Sequence, residues 1–271
     1  MGRKLRHLLI FLLIILKEPN MPEADCKKLK TLYLSDNRIT DIQPGVLPNL
    51  PKLTTLSLAG NQITKLEPGA FQNLPELCIC SLFGNKIIVI QRGVFSHLTM
   101  LQVLYLFNNQ ITTIQAGAFS NLPRLVKLTL CNNQISNIRS GVFSNLPKLT
   151  NLNLHSNKIT EIQSGAFSDL PKLTELYLQS NRITNIQSGA FSNLPKLERL
   201  NLEFNQITKI DPSTLSKIPQ LKCLYLQNNN ITEINPSTFS KLSQLEFLYL
   251  YTNQISVLPR SAYVESQECF F

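Results

Sequence analysis

The amino-acid sequence predicts an α/β solenoid, in which ten short coils stack with a parallel β-sheet on the concave face and loops with short helical turns on the convex face. The first observation is a repeat of 24 residues over nearly the whole chain. The second is an alternation of leucine with variable residues in each copy, which is typical of a strand with one buried face. The third is a 43% hydrophobic and 16% charged composition, which supplies a core and argues against disorder.

Four positions of the repeat are the same in all ten copies. Leucine stands eight residues before a recurring asparagine, from Leu29 to Leu245, and again three residues before it, from Leu34 to Leu250. Isoleucine stands two residues after the asparagine, from Ile39 to Ile255. The asparagines are Asn37, Asn61, Asn85, Asn109, Asn133, Asn157, Asn181, Asn205, Asn229 and Asn253.

The Leu-x-Leu segment of each repeat, such as Leu152-Asn153-Leu154, predicts a short strand. One repeat cannot bury its own leucines, so neighbouring coils must stack to cover them. The asparagine that follows the strand carries two donors and an acceptor on a short side chain. We therefore expect it to satisfy inward-facing backbone groups in a ladder along the solenoid, as a structural residue.

Two further columns predict the convex half of each coil. A glycine column, replaced by serine at 213, 237 and 261, indicates a turn that needs small size or unusual backbone angles. An aromatic column predicts a stacked spine in the core, with Leu47, Leu215 and Tyr263 in the same slot. The glycines are Gly45, Gly69, Gly93, Gly117, Gly141, Gly165 and Gly189. The aromatic residues are Phe71, Phe95, Phe119, Phe143, Phe167, Phe191 and Phe239.

The sequence predicts three segments: a signal peptide at 1–24, a ten-repeat domain at 25–263 and an irregular tail at 264–271. A basic start precedes the nine-residue apolar run Leu8 to Leu16, which fits a secretory signal and is too short to cross a bilayer. An uncleaved anchor and a cytosolic start are the alternatives. We expect no membrane span in the mature chain.

The net charge of +9 is dispersed over the repeats. Lys52, Lys148, Lys172 and Lys196 share one repeat position. A second repeat position is occupied by Arg38, Lys86, Lys158 and Arg182. A dispersed basic surface is typical of a soluble protein, with an anionic glycan or membrane surface as the alternative. We expect no nucleic-acid partner, because no recognised nucleic-acid module accompanies the charge.

The cysteines do not form a disulfide framework. Cys80 replaces a core leucine and is expected as a buried thiol, whereas Cys78, Cys131 and Cys223 are expected as free thiols on or near the concave side. Asn230 begins the only Asn-x-Ser/Thr sequon and is the expected glycosylation site if the chain is secreted.

No residue pattern supports catalysis, a metal site or a cofactor. The histidines are His7, His97 and His155, and only His155 falls on the sheet, with Glu175 and Glu203 within a few strands. Such a group is typical of an ordinary polar surface. The sequence contains no phosphate-binding glycine loop, Cys-His dyad or metal-ligand spacing.

The variable strand positions predict a partner-binding face. Six of the seven tyrosines fall on it, and tyrosine gives rigid contact area with a hydroxyl at low entropic cost. Strand propensity alone is the alternative explanation. An apolar zone, a mixed-charge zone and an aromatic zone follow one another along the sheet. The candidate contact residues are Tyr33, Ile79, Phe83, Val103, Tyr105, Phe107, Lys127, Asn153, His155, Glu175, Tyr177, Gln179, Arg199, Tyr225, Phe247, Tyr249 and Tyr251.

The Leu-x-x-Leu-x-Leu-x-x-Asn-x-Ile run with Gly-x-Phe-x-x-Leu-Pro resembles the extracellular leucine-rich repeats of variable lymphocyte receptors, Slit proteins, Toll-like receptors and small matrix proteoglycans. The resemblance implies a horseshoe that recognises a protein ligand on its concave sheet, without catalysis. A structural matrix protein and an intracellular scaffold are the alternatives. The terminal cysteine caps common in this group are missing, with only Cys26 before the first repeat.

Overall fold

The structure, a computed structural model, describes residues 27–257. The signal peptide expected at 1–24 and the tail expected at 264–271 lie outside the described residues, as do Cys26, Ser261, Tyr263 and Cys269. The described part is a solenoid whose repeats contribute one strand each to a ten-stranded parallel sheet. The prediction of a repeat solenoid with one continuous parallel sheet is confirmed.

The sheet strands are three residues long, and each pairs with the strand of the next repeat. Equivalent residues pair across the sheet, so that Leu152 lies between Leu128 and Leu176. This register shift of one full repeat follows from the 24-residue period. The strands are Thr31–Tyr33 (β1), Thr55–Ser57 (β3), Ile79–Ser81 (β5), Val103–Tyr105 (β7), Lys127–Thr129 (β9), Asn151–Asn153 (β10), Glu175–Tyr177 (β12), Arg199–Asn201 (β14), Cys223–Tyr225 (β15) and Phe247–Tyr249 (β16).

The opposite side of each coil consists of turns and two-residue strands. Three pairs form there, β2 with β4, β6 with β8 and β11 with β13. Within residues 27–257 the helical content is one four-residue helix, α1 (Pro212–Leu215), so the expected helical turns are rarer than the sequence suggested. The short strands are Asp41–Ile42 (β2), Lys65–Leu66 (β4), Val89–Ile90 (β6), Thr113–Ile114 (β8), Glu161–Ile162 (β11) and Asn185–Ile186 (β13).

The asparagine column forms the expected hydrogen-bond ladder. The Asn133 Nδ2 donates to the carbonyls of Leu106 and Leu130 at 3.0 Å, and its Oδ1 accepts from the Ile111 N–H at 2.9 Å. From Asn61 onward, each asparagine thus ties its own turn to the preceding repeat, whereas Asn37 bonds within its own turn. Because these groups are buried, an unpaired one would cost about 1–3 kcal/mol.

The phenylalanine column forms the expected spine. From Phe71 to Phe191 the rings are 0–1% exposed and stack with centroids 5.8–6.1 Å apart. Paired strands lie about 4.8 Å apart. Since the repeats are closer together at the sheet than at the spine, the stack curves toward the sheet and places it on the concave face.

The glycine column needs the left-handed backbone region. Gly141 has φ +82°, and the other six have φ between +72° and +87°. At Ser213, where serine replaces glycine, the backbone does not adopt the left-handed region. In that repeat the Asp211 Oδ1 accepts from the Ser213 N–H at 2.8 Å and caps α1, with Pro212 in the first turn.

Candidate protein-binding face

The seventeen candidate contact residues lie in the ten-stranded sheet or within two residues after its strands. Their side chains alternate with inward-facing core residues, which are leucines apart from Cys80 in β5, so they point away from the core. Six tyrosines share this surface, which we call the sheet face. The structure therefore brings the predicted residues to one surface and leaves their role in binding as a prediction.

The sheet face is less exposed than the alternation of residues predicts. Ser57, Thr129 and Cys131 occupy outward positions and are nevertheless buried. Thr129 pairs with Tyr105 on one side and with Asn153 on the other. Because in-register neighbours are only about 4.8 Å apart, large side chains cover small ones between them.

The apolar zone is a packed aromatic cluster. Phe83 and Phe107 stack with centroids 4.5 Å apart, and Tyr105 meets the Phe107 ring edge-on at 6.1 Å. Ile79 is 37% exposed, whereas the three rings and Val103 are half-buried. The patch is therefore only partly exposed, because the rings cover one another. We call these five residues the aromatic patch.

The mixed-charge zone contains no acid–base pair. Asn151 Nδ2 donates to Glu175 Oε2 at 2.5 Å, and His155 Nδ1 lies 3.0 Å from Ser156 Oγ. Burial lowers the pKa of His155 from 6.5, which favours the neutral ring. The histidine is thus a neutral polar group paired with Ser156, and Glu175 pairs with Asn151 instead of the histidine.

The aromatic zone, in the last two repeats, lies beside Arg199 of the mixed-charge zone, which pairs with Cys223 across the sheet. Tyr225 and Tyr249 stack with centroids 4.9 Å apart and an interplanar angle of 3°. Burial raises the pKa of Tyr177 and of Tyr225, so both keep their hydroxyl protons at neutral pH. Interaction with Tyr225 raises the pKa of Arg199. The zone and Arg199 therefore offer stacked neutral rings and one permanent cation.

Sequence reasoning missed Phe204, which lies at the edge of the sheet face. It is 53% exposed and has φ +51°, a conformation in which bulky side chains are rare. The equivalent position in other repeats holds small polar residues or glycine, such as Asp36, Gly60 and Asn108. The departure from that column was the available signal. Neighbouring Gln227 is 4% exposed, and its Oε1 has no hydrogen-bond partner.

The thiols and the sequon have distinct environments. Cys80 is fully buried, and desolvation raises its pKa to about 12, as expected of a thiol that replaces a core leucine. Cys78, Cys80, Cys131 and Cys223 are free thiols, and burial raises the pKa of Cys131 and of Cys223. Asn230 is exposed, so a glycan has room there.

The described part of the chain contains neither a cluster of metal ligands nor a membrane-spanning helix. Between residues 27 and 257, no three histidine, cysteine or acidic side chains are grouped as metal ligands. The same part of the chain holds no helix with the length and apolarity needed to cross a bilayer.

The repeat pattern also matches a known family. The model described as leucine rich repeat matches residues 27–87, 80–130, 123–183, 171–231 and 219–264 in succession. The chain belongs to the leucine-rich-repeat family. Leucine-rich repeats are generally a protein-interaction fold without enzymatic activity.

Solved structures similar to this leucine-rich-repeat protein include three complexes. The first, of TLR13 with ssRNA13, is 30% identical over 84% of this chain and 33% of that chain, with a TM-score of 0.79. The Drosophila Toll–Spatzle complex is 24% identical over 90% and 32%, with a TM-score of 0.84, and shows the fold alone.

The third complex is the octamer of Latrophilin 3, Unc5D and the leucine-rich-repeat part of FLRT2. It is 29% identical over 87% of this chain and 76% of that chain, with a TM-score of 0.73. This protein spans about a third of the length of the TLR13 and Toll chains that it matches. None of the curated proteins compared with it matches significantly.

Proposed function

We propose that this leucine-rich-repeat protein is an extracellular, non-enzymatic recognition module that binds a protein partner on its sheet face. The observation that carries the proposal is the aromatic patch. Its rings pack against one another, yet Ile79 is exposed and part of the surface of Phe83, Val103, Tyr105 and Phe107 stays accessible. Accessible apolar groups of this kind mark contact sites on proteins.

The patch is preorganised for binding. Phe83 and Phe107 hold each other in a stack, and Tyr105 packs against the second ring. Side chains that are already ordered lose little entropy when a partner docks. Binding energy at protein interfaces is concentrated in such aromatic anchors, which lie in well-packed surroundings.

The size of the sheet face favours a macromolecule. Ten strands at about 4.8 Å spacing extend over roughly 43 Å. A typical protein interface buries about 800 Å² on each partner, which a surface of this length accommodates. The aromatic zone and Arg199 would then contact the same partner at the other end of the sheet.

Two features support an extracellular, receptor-like role. The neighbouring structures include FLRT2 in complex with Latrophilin 3 and Unc5D, at 29% identity. The basic and apolar start of the sequence favours secretion, and Asn230 is exposed for glycosylation. Secretion of a tagged chain, with a mass shift that Asn230→Gln removes, tests this location.

The binding test uses a panel of purified extracellular proteins and the double variant Tyr105→Ala/Phe107→Ala. The matched control is Ile88→Ala/Thr112→Ala, which changes exposed residues outside the sheet face in the two repeats that contain the aromatic patch. Loss of two anchors of at least 1 kcal/mol each weakens binding about thirtyfold or more. The control should bind like the wild type. Equal affinity of the double variant for the protein captured by the wild type would remove the aromatic patch from the binding site.

A further inference from the structure

A row of basic residues lies along the edge where the chain enters the sheet strands. In four consecutive repeats the residue after the Leu-Pro pair is basic and exposed. We call this row the basic ladder. Its members are Arg124, Lys148, Lys172 and Lys196.

The spacing of the ladder follows from two other residues in the same column. Lys52 and Glu76 occupy this position in two earlier repeats, and their charged atoms, Nζ and Oε1, are 2.9 Å apart. Side chains one repeat apart therefore reach each other in this column. Neighbouring repeats are about 4.8 Å apart at the strands and 6.1 Å apart at the phenylalanine spine. The three intervals between the four basic residues therefore extend over about 14–18 Å.

The ladder has little neutralising charge around it. Within residues 27–257, none of its four side chains forms a salt bridge. Of the nearby acids, Glu198 pairs with Lys222 at 3.2 Å, whereas Asp169 accepts from the neutral Asn193 amide at 3.0 Å and keeps its single negative charge against the four positive ones. Four like charges in a line create a positive potential that attracts a polyanion.

We propose that the basic ladder binds a linear sulfated polysaccharide. Its charges form a row on an open edge, which suits an extended polymer with anionic groups along its length better than a compact ligand. Ammonium and guanidinium groups bind oxyanions through charge-assisted hydrogen bonds. This site is separate from the sheet face, so it adds a second ligand to the proposed protein partner.

The residues beside the ladder favour a glycan over a nucleic acid. Proteins that bind single-stranded nucleic acids combine basic grooves with aromatic side chains on which bases stack. Val126, Thr150 and Thr174 lie two residues beyond the first three basic residues. Among the described residues of this edge in the four repeats, no aromatic side chain accompanies the charges.

The test measures binding of the full chain to immobilised heparin over a range of NaCl concentrations. The variant is Lys148→Gln/Lys172→Gln/Lys196→Gln, which removes three charges from exposed side chains. We expect the affinity at 0.15 M NaCl to fall at least tenfold. The slope of log Kd against log salt concentration should fall by about 2, as when three ion contacts are lost.

The matched control is Lys86→Gln/Lys158→Gln/Arg182→Gln. It removes the same net charge from exposed residues after the strands, on another edge of the solenoid. We expect it to keep heparin affinity within threefold of the wild type, with circular dichroism unchanged for both variants. Equal losses in the two variants, or no loss in the first, would overturn the proposal. Tighter ladder-dependent binding of single-stranded RNA than of heparin would overturn it as well.

Discussion

The molecule contains two sets of stacked aromatic rings, one in the core and one on the sheet face. The core spine uses the same residue in successive repeats, and its rings stack 5.8–6.1 Å apart with at most 1% exposure. On the sheet face, by contrast, Phe83 and Phe107 stack at 4.5 Å and Tyr225 and Tyr249 at 4.9 Å, all half-buried. Both sets of rings stack, but only the core spine repeats the same residue along the solenoid and is fully buried.

The difference shows how one repeat separates stability from recognition. A column in which every repeat has the same residue builds a buried, continuous contact that each coil needs to stack on the next. A column that varies makes local clusters, such as the aromatic patch, which one region of the sheet face has and another lacks. Constant columns therefore carry the fold, and variable columns carry the candidate sites.

The largest expected effect is the difference in unfolding free energy between a substitution in the core spine and one on the sheet face. Replacing Phe143 in the middle of the spine by alanine leaves a cavity between Phe119 and Phe167 and should lower the free energy of unfolding by about 3–5 kcal/mol. Phe107→Ala removes one half-buried stacking partner and should cost about 1 kcal/mol. Urea unfolding monitored by circular dichroism measures both. Equal costs would mean that the sheet-face rings belong to the folding core.

The same distinction explains what the sequence could predict. The ladder of asparagines, the spine and the left-handed glycine turns recur at fixed spacing, so one physical reason applies to all copies. The exposure of a side chain on the sheet face depends instead on the residues that flank it in the two adjacent strands. Thr129 is buried because Tyr105 and Asn153 flank it, which no single repeat reveals.

The C-terminal half of the site shows a second limit of sequence reasoning. Phe204 occupies a position where the backbone has φ +51°. The turn imposes a positive φ at this position in the other repeats as well. The small residues found there adopt that angle easily, so the sequence does not show that a bulky residue would be forced into it. The sequence also does not explain why Ser213 can replace glycine. The turn there is held by a hydrogen bond from the Ser213 N–H to the Asp211 side chain, and that bond is visible only in the structure.

The second prediction compares a constant asparagine with a variable one. Asn133→Ala leaves the carbonyls of Leu106 and Leu130 without their amide donor and should cost about 3 kcal/mol of unfolding free energy. Asn153→Ala on the sheet face loses one bond, from the His155 N–H at 3.1 Å, and should cost less than about 1 kcal/mol. Chemical denaturation of both variants tests this. If the two variants lost similar stability, an asparagine that is the same in every repeat would not contribute more to the fold than one that varies.

The third prediction concerns backbone strain at a constant glycine. A Cβ at Gly141 would meet no atom within 4 Å, so the cost of Gly141→Ala comes from φ +82° and should be about 1 kcal/mol. Gly141→Asn should cost less, because asparagine tolerates this region and Asn145 already adopts φ +60° in the next turn. Thermal or urea unfolding ranks the variants. If asparagine were as costly as alanine, the glycine would be needed for a reason other than its backbone angle.

The smallest effect is a pH dependence carried by one variable residue of the sheet face. Burial lowers the pKa of His155 below its unfolded value of 6.5, so the unfolded chain binds the proton more readily than the folded chain. Stability from this residue is therefore complete above pH 6.5 and declines as the pH falls toward the folded pKa. Urea unfolding at pH 7.5 and 5.0 should show a larger loss for the wild type than for His155→Gln, in which the other titrating groups remain. An equal loss in both would mean that protonation of His155 does not lower the free energy of unfolding. A half-buried position on the sheet face could then carry a charge without loss of stability.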